Sequence, residues 1–323
     1  MKRLALAPLL LLAALPSLAS DTRTVDAVYT ATLTGVPEAK VLKVWIPIPQ
    51  SNSRQEISDV EIDSPHEFAI KSEPAFGNKY AFARIENAPK GDFVVRVKFR
   101  ATRRTVLFEK LPVTKASPDE LSLNLKPNRL VTLSPRVRGL ASDVTNGKET
   151  PIAKARAIYD YLLANMKYDK TTPGWGQGDT ERACDIKTGN CTDFHSLFMS
   201  LARVEGIPSR FIIGFPMAKG GNQTKGYHCW AEFYVEGIGW VPVDASDASK
   251  SSDQKIREFL FGNLDPDRVE FTMGRDIALD PPTKQPLNYF LQPYAEADGN
   301  PVGLPSIVLD FKDVSGNRVT SAE

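Results

Sequence analysis

The spacing of apolar residues constrains the fold of this chain more than any other feature, because it changes along the sequence. Between residues 21 and 110 apolar side chains recur at alternate positions, as in residues 25–33 and 41–46, and clusters of Pro, Gly and Asn separate the runs. This pattern predicts short antiparallel strands that each turn one face to a core. After residue 150 the apolar side chains recur every third or fourth position, which predicts helices. We therefore expect an α+β fold that begins with an antiparallel β-sandwich.

A polar stretch with neither period lies between the two patterns. Four prolines fall within residues 110–150, and a chain of 323 residues is long enough for two domains. We predict a β-sandwich domain at residues 20–115, a linker at 116–132 and a second domain at 133–323, which carries a β extension at its C-terminal end.

The N-terminus has the pattern of a secretory signal. Lys2 and Arg3 precede an apolar run at residues 4–15, and small residues follow up to Ala19. This order of charged, apolar and small residues predicts a signal peptide at residues 1–19. The apolar run is shorter than the roughly 20 residues of a membrane-spanning helix. We therefore expect a periplasmic or secreted protein with no stable membrane insertion after cleavage.

The charge balance gives no support to nucleic-acid binding. The sequence has 40 Lys and Arg residues against 39 Asp and Glu residues. Proteins that bind nucleic acid or anionic membranes through surface charge carry a basic excess. We expect neither among the partners of this chain.

The segment around Cys191 predicts a helix that begins with a reactive thiol. Asn190 is a preferred N-cap residue, residues 194–202 hold a buried helical stripe, and Gly206 and Pro208 are typical of a helix end. Cys191 would then lie in the first turn, where unpaired N–H groups and the helix dipole lower the pKa of a thiol. The alternative is a small buried apolar residue, which is the common role of a free cysteine.

A thiol nucleophile needs a base, and the chain has three histidines. We expect His66 to lie in a loop and His195 to pack near Cys191 on the same helix face. His228 lies in an alternating strand, and Asp244 follows in what looks like the next strand of a hairpin. Since a carboxylate on a neighbouring strand can orient an imidazole, His228 and Asp244 are the preferred partners of Cys191.

The hairpin sets a geometric condition on this assignment. With a loop of four residues, Asp244 would pair with Ala231, and its side chain would lie on the face opposite to His228. A loop of three or five residues, or one bulge, brings the two side chains to one face. The triad therefore predicts an odd loop or a bulge near Gly237 or Gly239, since glycine allows either.

Two segments together resemble the transglutaminase-like superfamily, whose fold is similar to that of papain. They are GNCTDFHSLFMSLARVEGIPSRFIIGF, which begins at Gly189, and GYHCWAEFYVEGIGWVPVDAS, which begins at Gly226. The family has a Cys at a helix N-terminus, a His on one strand and an Asp on the next. The resemblance places this triad on Cys191, His228 and Asp244 and implies a helix that bears Cys packed on an antiparallel sheet that bears His and Asp.

The resemblance also implies a reaction. The thiol of such enzymes attacks an amide and forms a thioester, which water or an amine then resolves. We therefore expect a protease, an amidase or a transglutaminase that acts on protein, peptide or cell-wall amides and needs no cofactor or metal. The oxyanion would be held by the backbone N–H of Cys191, with Trp175 or Gln177 as a second donor.

Two other classes of function have to be weighed. Cys184, Cys191, His195 and His228 could bind a metal, but their spacing lacks the close pairs of structural zinc sites. A non-catalytic binding or assembly module on the same fold is the other alternative. Such modules usually lack a triad residue, and all three are present here.

The odd number of cysteines leaves the state of Cys184 and Cys229 open. Cys229 follows His228 on a strand, so we expect its side chain to point away from the active site. A disulfide between Cys184 and Cys229 would leave Cys191 free, and two buried reduced thiols are the competing possibility.

Overall fold

The computed structural model describes residues 22–314, so the predicted signal peptide lies outside the described residues. The strands are β1 (Thr22–Val36), β2 (Ala39–Pro47), β3 (Gln55–Asp63), β4 (Ala69–Ser72), β5 (Lys79–Ala88), β6 (Gly91–Arg104), β7 (Lys167–Tyr168), β8 (Thr188–Gly189), β9 (Ser209–Pro216), β10 (Gln223–Thr224), β11 (His228–Val235), β12 (Gly239–Val243), β13 (Arg268–Met273), β14 (Tyr294–Ala297), β15 (Asn300–Pro301) and β16 (Leu304–Asp313). The α-helices are α1 (Pro118–Leu123), α2 (Pro135–Thr145), α3 (Pro151–Asn165), α4 (Thr180–Ile186), α5 (Cys191–Val204), α6 (Ala245–Lys250) and α7 (Gln254–Phe259). No helix within residues 22–314 is long and apolar enough to cross a membrane.

Two antiparallel five-stranded sheets form the predicted β-sandwich. One has the strand order β10-β16-β1-β6-β3, and the other has the order β15-β14-β2-β5-β4. The side chains of β1 alternate between buried and more exposed positions, as the sequence predicts. The buried ones are Val25, Ala27, Tyr29, Ala31 and Leu33. The α+β class and the N-terminal sandwich are confirmed.

The C-terminal strands complete this sandwich. β16 pairs with β1 from Val25 opposite Asp313 to Thr34 opposite Leu304, and β14 pairs with β2. The β extension that the sequence predicts at the C-terminal end therefore belongs to the same sheets as the N-terminal strands. Pairing between segments so distant in sequence is set by side-chain packing across the sheets, which local periodicity does not record.

The second layer system is a four-stranded antiparallel sheet with the order β12-β11-β9-β13, on which α5 packs. Asn190 caps α5 as the sequence predicts, with its side chain accepting a hydrogen bond from the backbone N–H of Thr192 at 2.9 Å. Phe198 of α5 contacts Phe233 of β11, with ring centroids 6.0 Å apart. This helix-on-sheet unit is the papain-like core implied by the resemblance.

The sandwich covers the other face of this central sheet. Tyr29 and Phe99 of the sandwich lie with ring centroids 5.1 and 5.8 Å from that of Phe271 on β13. Arg103 of β6 lies over the ring of Trp230 on β11. Every residue of β11 is buried as a result, with Trp230 facing the sandwich and Phe233 facing α5.

Candidate active site

The first turn of α5 places Cys191 where its thiol ionises easily. The carboxylate of Asp193 accepts hydrogen bonds from the backbone N–H groups of Asn190, Gly176 and Gly178 at 2.9, 2.7 and 3.0 Å, which ties the glycine-rich loop to the helix start. Burial alone would raise the pKa of Cys191. Hydrogen bonds from neighbouring side chains and the positive charge of His228 outweigh burial and hold this pKa well below the ordinary value. The surroundings of Cys191 therefore favour the thiolate.

The hairpin between β11 and β12 meets the condition set by the sequence. Val235 pairs with Gly239, so the loop has three residues, an odd number. Gly237 and Gly239 have φ values of 79° and 109°, which favour glycine. Continued by one residue, this register sets Asp244 opposite Trp230. Strand alternation gives that position the same face as His228.

His228 and Asp244 are in direct contact. The Nε2 atom of His228 lies 2.6 Å from Oδ2 of Asp244. Burial lowers the pKa of His228, but the carboxylates of Asp244 and Asp247 more than offset it and raise this pKa to about 10. Cys191 is also among the groups that raise it. The structure thus brings the three residues of the predicted triad together in one buried site.

Asp244 is held in its ionised form by a second cation. The Nη1 atom of Arg268 on β13 donates to Oδ2 of Asp244 at 2.7 Å. Oδ1 accepts the backbone N–H of Asp247 at 3.0 Å, because Asp244 is also the N-cap of α6. Burial would raise the pKa of Asp244, but His228 and Arg268 hold it well below the ordinary value. This fixed negative charge orients the imidazole.

His195 lies beside the triad but is not free to act as its base. Its Nε2 accepts the backbone N–H of Ala245 at 3.1 Å, so Nδ1 carries the proton and donates to the carbonyl of Cys191 at 2.8 Å. Burial lowers the pKa of His195, which keeps the ring neutral. His195 thus packs near Cys191, as the sequence analysis expects.

Asp247 and Arg268 are site residues that sequence reasoning missed. Oδ2 of Asp247 lies 3.3 Å from Nε2 of His228, so the imidazole faces two carboxylates. The sequence holds one signal for Asp247, which follows Asp244 by three residues. In the first turn of a helix this spacing puts the two side chains on the same face. Arg268 reaches the site from β13, and nothing in its local sequence indicates this.

The expectation for Cys229 is wrong. Its thiol donates to Oγ1 of Thr192 at 3.8 Å, and its sulfur lies 3.8 Å from Nδ1 of His195, beside the first turn of α5 that carries Cys191. Cys229 does face away from His228 across β11, but that face is the one on which α5 packs.

The disulfide between Cys184 and Cys229 is not formed. All three cysteines are free buried thiols. Burial raises the pKa of Cys184 to about 11, and its charged neighbours are Arg136, Glu181 and Asp185, away from the triad. The competing possibility of two buried reduced thiols is the one that the structure has.

Trp175 and Gln177 are not brought to the thiol. Trp175 is 37% exposed and its ring lies 5.8 Å from the ammonium group of Lys170. Gln177 is exposed and contributes its backbone carbonyl, which accepts from Arg275 and Asn288 at 2.9 Å. Among the hydrogen bonds of the described residues, none joins either side chain to Cys191. The backbone N–H of Cys191 is still a suitable oxyanion donor, because first-turn amides have no acceptor within the helix.

The ligand atoms of His228, Asp244 and Asp247 lie within 4.8 Å of one another, which is close enough for a shared metal ion. A dication there would face the guanidinium of Arg268, which already donates to Asp244. The hydrogen bonds of the candidate triad already account for the positions of these three side chains. We therefore interpret the cluster as part of the candidate triad.

Comparisons with known proteins agree with this geometry. The profile of the transglutaminase-like superfamily matches residues 138–245. An uncharacterized protein of Haemophilus influenzae is 30% identical over 300 residues, which are 80% of this chain and 81% of that protein. The kyphoscoliosis peptidase of Mus musculus is 24% identical over 139 residues, which are 41% of this chain and 21% of the peptidase. The crystal structure of a candidate cysteine protease from Cytophaga hutchinsonii has the same fold, with a TM-score of 0.64 at 16% identity over 92% of both chains.

Proposed function

The chain belongs to the transglutaminase-like superfamily, and on this premise we propose that it is an exported cysteine enzyme that cleaves or exchanges amide bonds through a thioester. The observation that carries the proposal is the buried pair of His228 and Asp244, 2.6 Å apart, which acts on a Cys191 thiol whose pKa the imidazole lowers. The charges of these groups are arranged for nucleophilic catalysis, because the nucleophile is ionised and the imidazole is protonated before substrate arrives.

Each of these groups has a role in the reaction. The Cys191 thiolate attacks the carbonyl carbon of the amide, and the Cys191 N–H stabilises the oxyanion that forms. His228 gives its proton to the departing amine, which leaves Cys191 as a thioester. Neutral His228 then takes a proton from water or from a second amine as that nucleophile attacks the thioester. Asp244 holds the imidazole in one tautomer and stabilises its charged form throughout.

Water and amines are both chemically competent to resolve the thioester, so hydrolysis and transamidation share this site. The proposed substrates are amides of proteins, peptides or the cell wall, and the proposed location is the periplasm or the exterior, as the N-terminal sequence predicts. A non-catalytic module is the second candidate. It is disfavoured because a binding surface has no need of an ionised thiol paired with an imidazolium.

Trapping of the acyl-enzyme tests the proposal. The purified chain is incubated with a library of peptides and cell-wall fragments and quenched in acid, and the mass added to each cysteine is measured after digestion. We expect one acyl group on Cys191, none in Cys191→Ala and an unchanged yield in Cys184→Ala, which removes a thiol outside the site. A library that leaves Cys191 unmodified while small electrophiles alkylate it rapidly would favour the non-catalytic module.

A further inference from the structure

We propose that a cavity between the sandwich and the central sheet binds a small organic anion that has an apolar body and two negative charges on carboxylate or phosphate groups. Trp240 lies in the wall of this cavity and pairs with Tyr234 of β11. Tyr234 follows His228 by six residues, which is about 20 Å at the usual rise of a strand. The cavity is therefore a site separate from the triad.

The size and the wall of the cavity suit a small charged molecule. Its volume is about 420 Å³, within the range of small-molecule sites. The described residues of the wall include five cationic ones and one acidic one. The cationic residues are Arg54, Arg104, Lys110, Lys115 and Arg210, and the acidic residue is Glu120. Apolar residues, among them Val106, Leu107 and Leu111, form other parts of the wall.

Two of the cations already have carboxylate partners. Glu232, which is fully buried, pairs with Arg54 and with Arg210. Glu120 pairs with Arg210 at 3.1 Å and accepts a hydrogen bond from Nε1 of Trp240 at 2.9 Å. Burial and the charge of Arg210 still lower the pKa of Arg54 to about 10. These contacts place the two arginines firmly in the wall, and the surroundings favour additional negative charge.

Arg104 and Lys115 supply the two charges that an anion can match. Both are exposed, and among residues 22–314 neither side chain forms an ion pair with a carboxylate. A guanidinium binds a carboxylate or a phosphate through two parallel hydrogen bonds, and an ammonium group acts as a point charge. Isolated cations on an open surface stay solvated, but these two share a concave wall with apolar residues. This combination of a few charged groups and apolar lining is typical of a ligand site.

The segment 105–116 forms one side of the cavity and is held near both ends. Val106 and Leu264 exchange backbone hydrogen bonds of 2.8 and 3.0 Å. The backbone N–H of Thr114 donates to the carbonyl oxygen of Ile238 at 3.4 Å. Because the wall is fixed in place before a ligand arrives, binding costs little conformational entropy.

Isothermal titration calorimetry of the purified chain tests the proposal. The ligands are isophthalate, phenyl phosphate, benzoate and isophthalamide, which share an aromatic ring and differ in charge. We expect isophthalate or phenyl phosphate to bind with a stoichiometry of one, at least tenfold more tightly than benzoate or isophthalamide. The tighter of the two dianions shows whether carboxylate or phosphate is the preferred group. The proposal is overturned if neither dianion binds more tightly than benzoate.

Variants show whether the cavity is the place of binding. Arg104→Ala and Lys115→Ala should each weaken the dianion about tenfold, because each removes a charge-assisted contact. Arg96→Ala is the matched control, since Arg96 is exposed on the same strand as Arg104 and lies eight residues before it, about 26 Å away. Urea denaturation checks that all three variants are folded.

The control also defines the result that contradicts the site. If Arg96→Ala weakens the dianion as much as Arg104→Ala does, net charge alone attracts the ligand and the cavity has no part in it. The titration requires no reaction of Cys191, so either outcome leaves the proposed function to its own test.

Discussion

Two buried carboxylate clusters lie along strand β11. The difference between them indicates which surroundings allow a buried carboxylate to take part in proton transfer. The catalytic cluster is Asp244 with His228 and Arg268. Glu232 lies on the same face of β11, four residues after His228 and about 13 Å from it at the usual rise of a strand. Its carboxylate pairs with Arg210 on the adjacent strand at 2.7 Å and with Arg54 of the sandwich. We call Glu232, Arg210 and Arg54 the joint cluster.

The two clusters share a fully buried carboxylate and differ in what surrounds it. Both partners of Glu232 are arginines, which keep their charge at all physiological pH values. One partner of Asp244 is Arg268, but the other is His228, which can gain and lose a proton. The joint cluster therefore holds the sandwich against the central sheet through fixed charges, and of the two clusters the catalytic cluster is the one that holds a group able to gain and lose a proton.

The largest expected effect is on activity, in the catalytic cluster. His228→Ala removes the proposed acid and base of the reaction and should lower the rate of acyl-enzyme formation by roughly 10⁴-fold or more. Its free energy of unfolding should fall as well, because buried Asp244 loses one of its two cationic partners, so the rate is compared on the folded protein. Acylation kinetics and urea denaturation measure the two quantities. A rate within one order of magnitude of the wild type would contradict the role of His228.

The complementary change in the joint cluster should affect stability first. Glu232→Gln removes the counter-charge that Arg54 and Arg210 share, and Glu120 remains as a partner of Arg210, so the free energy of unfolding should fall by about 3–5 kcal/mol. Cys191 should still be acylated in the molecules that stay folded. Glu86→Gln is the control, because within residues 22–314 this exposed carboxylate pairs with the exposed Arg84, and the change should cost less than about 1 kcal/mol. Equal destabilisation by both variants would remove the distinction between the clusters.

The elements that depend on local sequence patterns can be predicted from the sequence. The limits of α5 follow from the Asn190 cap and the apolar stripe, and the odd loop at Gly237 follows from the need to bring His228 and Asp244 to one face. These two elements position the triad. The family resemblance adds the papain-like core around them.

What the sequence does not predict depends on long-range packing. Arg268 and Arg54 reach their carboxylates from segments that are remote in sequence, and no periodicity links them. The side of Cys229 was predicted wrongly because strand alternation gives opposite faces but does not tell where the neighbouring helix ends. Trp175 was assigned from the resemblance, and its exposed position depends on the fold of the glycine-rich loop.

A smaller effect is expected on the acid side of the pH dependence of the catalytic cluster. Cys229 is one of the groups that lower the pKa of Cys191. Cys229→Ala should therefore move the acid limb of Cys191 alkylation by iodoacetamide to higher pH, while Cys229→Ser, which keeps a hydrogen-bond donor, should move it less. Cys184→Ala should leave the limb where it is. A Cys229→Ala profile identical to the wild type would show that Cys229 does not stabilise the thiolate.

The smallest expected effect is on the alkaline side, where the second carboxylate of the catalytic cluster acts. The pKa of His228 is about 10, so the thiolate–imidazolium pair should persist at neutral pH and acylation should decline as the pH rises through this value and the imidazolium loses its proton. Asp247 contributes to the raised pKa, so Asp247→Asn should move the alkaline limb to lower pH. The shift should be small, because Asp247 is half-exposed and its other oxygen pairs with Lys250 at 2.6 Å.

Asp253→Asn is the control. This change removes the negative charge of the N-cap residue of α7 and replaces it with a residue that caps a helix equally well. It therefore separates a direct effect of Asp247 on His228 from a general effect of net charge. If both variants shift the limb equally, Asp247 acts only through net charge, and the proton of His228 is then controlled by Asp244 and Arg268 alone.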